Sequence, residues 1–362
     1  MVGNGEPGQM KIALIGKFRA DNGLGIANRE IEKSLRTFCE IVGSRETEGI
    51  RWIRGLSSLI RRCDVLVICS AAYLNCLAVR LAKKHRKKTI YIMHGLSSYE
   101  QAIESRQSGR LTAYGIHRYE RYMMKQADRI ICVSERFMNM VRERFPACAE
   151  KFGWINNVVD TERCAEACRT NRARVPGTVL STGGGKRQKN IATLASAMEK
   201  EGSGYILHVA GAEASEGGEI RRRENIVWHG CLPHADLLAL MAKTSVYVQN
   251  STFESFGLSV VEALFCGCSI LVSEGTGCLP LFSGLREEDV IRDVGDTEEI
   301  GRKIRYLMEH PNNVRLQSGF SAESVTTARQ AARLRVIIGA QDGVTGKREA
   351  DTYEDGNCFR AK

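Results

Sequence analysis

The sequence lacks any stretch apolar enough to cross a bilayer. Its most apolar segment, residues 65–82, is broken by Ser70, Asn75 and Arg80 and changes from a strand-like to a helix-like period. Residues 1–10 are polar and glycine-rich and have no apolar centre of the kind a signal peptide needs. A cytoplasmic protein is expected, touching the inner face of a membrane at most peripherally. The thirteen cysteines show no paired metal spacing, and an odd number cannot all be bridged within one chain, so reduced thiols are expected. His229, Cys231 and His234 have no evident fourth partner, and the turn at Pro233 accounts for them, so no metal site is expected. Asp-x-Asp is absent, so no divalent ion bridging a pyrophosphate is implied. The absence of Gly-x-Ser-x-Gly argues against a serine hydrolase of that type. No complete Gly-x-Gly-x-x-Gly with a later acid follows the first strand, which argues against a dehydrogenase. The basic segments are not interleaved with aromatics, so nucleic acid is not the expected partner.

What is present is apolar material for two ordinary domains: 43% of 362 residues are hydrophobic. The net charge of +10 is unevenly spread, with 28 Lys and Arg against 17 Asp and Glu in residues 1–163, and 24 against 25 in the remainder. An anionic partner of the first half is implied. The densest run, Lys83, Lys84, His85, Arg86, Lys87 and Lys88, reads either as a solvated helix end or as a contact for acidic lipid or a phosphorylated acceptor.

Along the first half, β-branched apolar runs alternate with longer amphipathic segments, the pattern of a parallel sheet covered by helices. Strands are expected at residues 11–15, 64–69, 89–93 and 129–133, with helices at 26–38, 73–85, 114–126 and 135–145. A polar stretch, 161–177, with Arg169, Asn171, Arg172, Arg174 and Pro176, separates this block from a second of the same rhythm. There, strands are expected at 178–181, 205–210, 226–229, 245–249 and 269–272, and helices at 190–200, 234–242, 258–266 and 297–310. The fold class implied is α/β, with two doubly wound, Rossmann-like domains facing a cleft. Residues 1–163 form the first domain and 164–338 the second. Residues 322–338 are helical in pattern and read as a last helix returning to the first domain; 339–362 form a polar tail with little to bury. Ligands of open α/β sheets bind at the carboxyl ends of the strands, which here face the cleft.

The most informative segment runs from Phe253 to Gly267, following a strand and opening a helix that is apolar almost all round. A carboxylate at Glu262 on that helix is costly unless it accepts hydrogen bonds, and helical spacing directs it toward the opening that Leu258 and the Glu254 loop share. Ribose and sugar hydroxyls donate to paired carboxylates, while helix-start amides suit phosphate oxygens. A nucleotide sugar meets both demands; an internal Arg or Lys paired with Glu262 is the plainer alternative.

Glu254, the Phe256-Gly257 pair and Glu262 resemble the E-x7-E signature of retaining glycosyltransferases with the GT-B fold, family 4 type. The resemblance implies that Glu262 binds the donor ribose and that Glu254 lies against the transferred sugar, with Phe256, Gly257 and Leu258 in the donor site. It places a lysine at Lys189 and an arginine at the position of Gly184, where this sequence departs; Lys186 or Arg187 could supply that second cation. Arg187 is preferred, because a guanidinium grips phosphate at two points. Gly184 and Gly185 would let the backbone approach a pyrophosphate. A fixed cation there stabilises the charge that grows on the departing phosphate. The resemblance also assigns the loop of Gly23 and Gly25 to the donor or acceptor, His94 to the sugar, and the segment with Thr276 to a donor loop, although Leu281 stands where an acidic residue is usual. Taken alone, the glycine pairs are as consistent with tight turns, and His94 with a local backbone bond.

The implied activity is retaining transfer of a hexose-type sugar from a UDP-sugar, bound by the donor-binding domain 164–338, to a saccharide or lipid-linked acceptor on the acceptor-binding domain 1–163, in cell-surface polysaccharide or glycolipid synthesis, without cofactor or metal. A GT-B nucleotide-sugar epimerase and a non-catalytic nucleotide-sugar binding protein are the alternatives.

Overall fold

In a computed structural model of the chain, residues 9–20, 22–46, 53–70, 72–104, 110–170, 174–202, 204–212 and 223–339 are described, 110–114 by backbone alone. Asp21, Asn171, Arg172 and the expected tail beyond 339 lie outside them.

The first sheet is built from β1 (Lys11–Gly16), α1 (Gly23–Arg36), β2 (Glu40–Glu46), α2 (Leu56–Arg62), β3 (Val65–Ile68), α3 (Asn75–Lys84), β4 (Lys88–Met93), α4 (Ser97–Glu104), α5 (Arg110–Gln126), β5 (Arg129–Cys132), α6 (Glu135–Arg144) and β6 (Phe152–Trp154). Helix α7 (Thr161–Thr170) leads into β7 (Val175–Thr182), α8 (Ile191–Lys200), β8 (Ile206–Ala210), β9 (Ile226–Gly230), α9 (His234–Lys243), β10 (Thr244–Gln249), α10 (Leu258–Phe265), β11 (Ser269–Ser273), β12 (Val290–Ile291), α11 (Thr297–Glu309), α12 (Asn313–Ser318) and α13 (Thr327–Ile338). Both sheets are parallel, in the orders β2-β1-β3-β4-β5-β6 and β12-β11-β10-β7-β8-β9. These are the two doubly wound domains that the alternation of apolar runs implies.

The central strands are buried on both faces: Val65 to Ile68 and Ser269 to Ser273 are sealed along their whole length, as expected where helices cover both sides of a sheet. Helix starts carry their own caps. The Asn22 side chain accepts from Gly25 N at 3.0 Å, Ser134 from Phe137 N at 3.1 Å, and Asp296 from the amides of Glu298 and Glu299.

Strand order fixes where a ligand can sit. In the first sheet the order reverses between β1 and β3, and in the second between β7 and β10. A crevice opens at the carboxyl end of such a reversal. The loops leaving β7 and β10 are the glycine segment from Gly183 and the segment carrying Glu254, so two stretches far apart in the chain become neighbours.

Every expected strand and helix is present, with shifted ends, but several elements were not foreseen. Strand β2 is a charged, half-buried edge, and β6 has only three residues. Helices α2, α4 and α12 are short, and the polar stretch after residue 161 contains α7, whose only fully buried residue is Cys164. The pattern over 322–338 breaks at Thr326, whose side chain accepts from Arg329 N at 3.2 Å and starts α13. The basic run is partly structural: Lys83 reaches Asp128 at 2.6 Å, and Lys88 donates to the carbonyl of Ile338 at 2.6 Å.

Helix α13 packs on α1 of the first domain. Gln330, 2% exposed, is the polar centre of that contact: Ser34 Oγ donates to its Oε1 at 2.8 Å, and its Nε2 donates to Asn156 O at 2.8 Å. Gln330→Ala removes both bonds from a buried contact and leaves Ser34 Oγ only its long bond to Thr327 O at 3.4 Å, so it should cost about 1–3 kcal/mol in urea unfolding, whereas exposed Arg329→Ala should lie within about 0.5 kcal/mol of the parent.

Candidate active site

The turn after β7 is built on glycine geometry. Gly183 and Gly184 have φ of +101° and +58°, and a Cβ at 184 would lie 2.1 Å from Ala212 O and 2.7 Å from the carbonyl carbon of Gly211. Here the loop leaving β7 presses backbone to backbone on the loop leaving β8. The amides of Gly183 and Gly184 donate to Ala210 O at 2.9 and 3.2 Å, and that of Gly185 to Ala212 O at 3.0 Å. The glycines therefore fasten this turn to its neighbour, and their amides are spent inside the domain rather than aimed into the cleft. The cations follow: Lys186 is exposed, while Arg187 and Lys189 are half-buried.

Lys189 lies along Gly183 and forms an ion pair with Glu254. Behind the pair runs a buried chain of hydrogen bonds. Gln249 Nε2 donates to Glu254 Oε2 at 3.2 Å, Tyr247 Oη donates to Gln249 Oε1 at 2.7 Å, and Tyr247 Oη lies 2.7 Å from Thr182 Oγ1. Burial drives the Tyr247 phenol far above its ordinary value, which keeps it a neutral donor. The Glu254 backbone is fixed by Gly275 O, which accepts its amide at 3.1 Å, and by the Gly277 amide, which donates to its carbonyl at 2.9 Å.

Phe256 and Thr276 have 1% and 0% exposure and act from behind. The Thr276 methyl abuts Gly257, where an added Cβ would lie only 2.8 Å away; with φ of +97°, Gly257 turns the chain into α10. No side chain caps that end; the Val260 amide turns back to Gly257 O at 3.1 Å, and the Leu258 and Ser259 amides open the helix ahead of it.

Glu262, 7% exposed on α10, is held by a histidine: His234 Nε2 lies 2.8 Å from Glu262 Oε1. The donor that sequence reasoning required is therefore neither an arginine nor a lysine. It is the first residue of α9, set by the turn at Pro233. Glu254 and Glu262 thus flank the start of α10, the first met by Lys189 and Gln249 and the second by His234, and Tyr247 lies within electrostatic reach of both.

Across the cleft, Gly23 faces Leu258, whose Cδ1 would be 3.7 Å from a Cβ at that glycine. Gly25 has no such role; an added Cβ would collide with Ala20 O, so this glycine closes the turn that Asn22 caps. His94 ends β4. It is half-buried as a residue, but its Nε2 is sealed from solvent and has no hydrogen-bond partner, and burial pushes the imidazole down to about 4. Its carbonyl accepts from Ser255 Oγ at 2.5 Å, and the carbonyl of Ser255 accepts from Ser134 Oγ at 2.6 Å. Ser255, beside Glu254, is therefore bonded to two elements of the first domain. Helix α4 adds Glu100, whose carboxyl is raised by burial against the opposing pull of Lys186, and Glu104, which accepts from Arg187 N at 3.1 Å and Gln188 N at 3.2 Å.

Sequence reasoning missed His234, Tyr247, Gln249, Ser134, Ser255, Glu100 and Glu104 as neighbours of the site. Only His234 left a signal, as a polar group at a helix start after Pro233.

Residues 30–163 match the family model for Glycosyltransferase Family 4, and residues 170–323 match the model for Glycosyl transferases group 1. The chain belongs to these glycosyltransferases. Its curated relatives include the glycogen synthase of Mycobacterium tuberculosis, 24% identical over 237 residues; the match takes in 59% of this chain, and the chain spans about half the length of that relative, 55%. Similar solved structures include HepE of Anabaena, in complex with UDP and glucose (13% identity, TM-score 0.68, 92% of this chain and 100% of that one). Sucrose-phosphate synthase of Thermosynechococcus elongatus has the same coverage at 18% identity and TM-score 0.68. The glycosyltransferase WaaG, involved in lipopolysaccharide biosynthesis, has 13% identity and TM-score 0.61, over 91% and 100% of the two chains. At these identities the structures establish a shared two-domain GT-B fold.

Two outcomes follow from this geometry. Gly184→Ala should lower stability by at least about 2 kcal/mol in urea unfolding, because the new methyl meets backbone at a positive φ. His94 is protonated in the unfolded chain near its ordinary 6.5 but in the folded chain only near 4. Its neutral form therefore contributes stability above about pH 6.5 that is lost as pH falls toward 4. His94→Gln should remove about 1–3 kcal/mol of the drop in unfolding free energy measured between pH 7 and 4.5.

Proposed function

We propose that this chain transfers a hexose-type sugar from a UDP-sugar to a saccharide or lipid-linked acceptor, with retention of anomeric configuration and without a metal, in cell-surface polysaccharide or glycolipid synthesis. The observation that carries the reading is the placement of Glu254 and Glu262 on either side of the uncapped start of α10, one paired with Lys189 and the other with His234. Glu262 would accept from the ribose hydroxyls and exchange part of its bond with His234 for them. The α10 amides and Lys189 would hold the diphosphate, with Lys186 or Arg187 as the second cation.

In the transfer step the bond from C1 of the sugar to the β-phosphate oxygen breaks, its electron pair stays on the phosphate, and the acceptor oxygen bonds to C1. The acceptor proton passes to the departing phosphate. Lys189 contributes most as charge grows on that phosphate, which is the differential stabilisation that lowers the barrier. HepE of Anabaena, a fold neighbour, is described in complex with UDP-glucose, which supports UDP as the nucleotide. The lysine-rich end of α3, with Lys84 and Arg86 exposed, supports acceptor or anionic-lipid contact by the first domain.

In a thermal-shift titration with UDP-sugars, the parent should gain stability with ligand concentration, and Glu262→Ala should lose that gain. Lys189→Met should lower turnover about a hundredfold with much less change in donor KM. Incubation with donor alone decides the main alternative, since an epimerised sugar nucleotide appearing without acceptor would displace transfer as the activity. Parent-like turnover by Glu262→Ala would remove the basis of the whole reading.

A further inference from the structure

We infer that Glu104 is a positioning residue that grips the cationic turn of the second domain from across the cleft and thereby sets the geometry of the donor-phosphate side; the inference rests on the donor reading above. Its carboxylate uses both oxygens on adjacent backbone amides, Oε2 on Arg187 N at 3.1 Å and Oε1 on Gln188 N at 3.2 Å. Charge-assisted bonds of this kind are among the stronger hydrogen bonds.

The helix that presents Glu104 is itself held firmly. Glu120, fully buried on α5, accepts from Ser98 N at 3.1 and 3.2 Å in the first turn of α4. Tyr99 meets Phe253 of the second domain edge-to-face, with ring centroids 5.3 Å apart. What Glu104 grips is connected to the site, because the carbonyl of Gln188 accepts from Thr252 N at 2.8 Å, two residues before Glu254, and Lys189 follows directly. The turn carrying Lys186, Arg187 and Lys189 is thus fastened on one side to the Glu254 loop and on the other to the first domain.

A carboxylate on two amides could instead be standing where a phosphate of the donor will sit, and the two roles differ in sign. The geometry favours a tether: Lys189, the cation expected to meet phosphate, is turned toward Glu254 and not toward Glu104. Removing a tether loosens the turn and weakens nucleotide binding. Removing a stand-in frees the turn and tightens it.

The test uses the full-length chain, with UDP as probe in calorimetric titration and small-angle X-ray scattering of the unliganded protein. Glu104→Ala should bind UDP about tenfold more weakly. Glu104→Gln, which keeps the shape and one accepting oxygen, should fall between it and the parent, and this partial rescue separates positioning from misfolding. UDP affinity equal to or tighter than the parent in both variants overturns the inference. If the parent itself fails to bind UDP, the donor reading falls, and scattering decides the tether alone: a wider particle for Glu104→Ala supports it, and an unchanged profile overturns it.

Discussion

A carboxylate carried on an apolar helix has to be supplied with donors, and the surroundings of Glu262 are organised by that demand. The helix that bears it is sealed at Val260, Val261, Ala263 and Leu264, and Glu262 itself turns to the facing helix α9. His234 answers from α9 with a single bond at 2.8 Å, leaving the second carboxylate oxygen outside that pair. A histidine is a weaker commitment than a guanidinium, whose fixed fork would occupy both oxygens. The site consequently keeps a buried acceptor with remaining capacity, on a helix whose start carries no side-chain cap.

Glu254 is satisfied differently. Its partner Lys189 comes from the other side of the strand reversal, and Gln249, Tyr247 and Thr182 continue the bonding back into the sheet. Because these three side chains lie on β7 and β10, the pair is referenced to the sheet and not to loop geometry. Between the two carboxylates Ser255 turns toward the first domain, taking a bond from Ser134 and giving one to the His94 carbonyl. One short segment is therefore fixed by both domains at once, and any hinge motion must be felt within one residue of Glu254.

The sheets were readable because parallel strands buried on both faces appear as continuous β-branched runs: Val65 to Ile68 has no polar residue to obscure it. Strand β2 was not readable, since Glu40, Arg45 and Glu46 on a half-buried edge look like a loop. Helix α7, with charges all round and Cys164 as its only buried residue, looks like a linker for the same reason. At the site, the spacing of Glu254 and Glu262 was visible, as was the need for donors to Glu262. The contacts that answer these needs could not be, because His234 reaches Glu262, Tyr247 reaches Gln249 and Glu104 accepts from the turn after β7 only through strand order and domain apposition, and neither leaves a periodic trace in the chain.

The Gly184 position shows how such a departure from a family pattern can be a matter of backbone geometry. Gly184 and Gly211 face each other so closely that a Cβ on Gly211 would lie 2.4 Å from the Gly184 nitrogen, and one on Gly184 would lie 2.1 Å from Ala212 O. Both have positive φ, +58° and +132°, so neither can take a side chain without moving the other. Drawing the ends of β7 and β8 together in this way consumes the amides of three successive glycines and excludes a long side chain where the resemblance expects an arginine. Positive charge can then enter the turn only beyond residue 185, and that is where Lys186, Arg187 and Lys189 stand. The loss of one cation and the clustering of three others are consequences of a single close backbone contact.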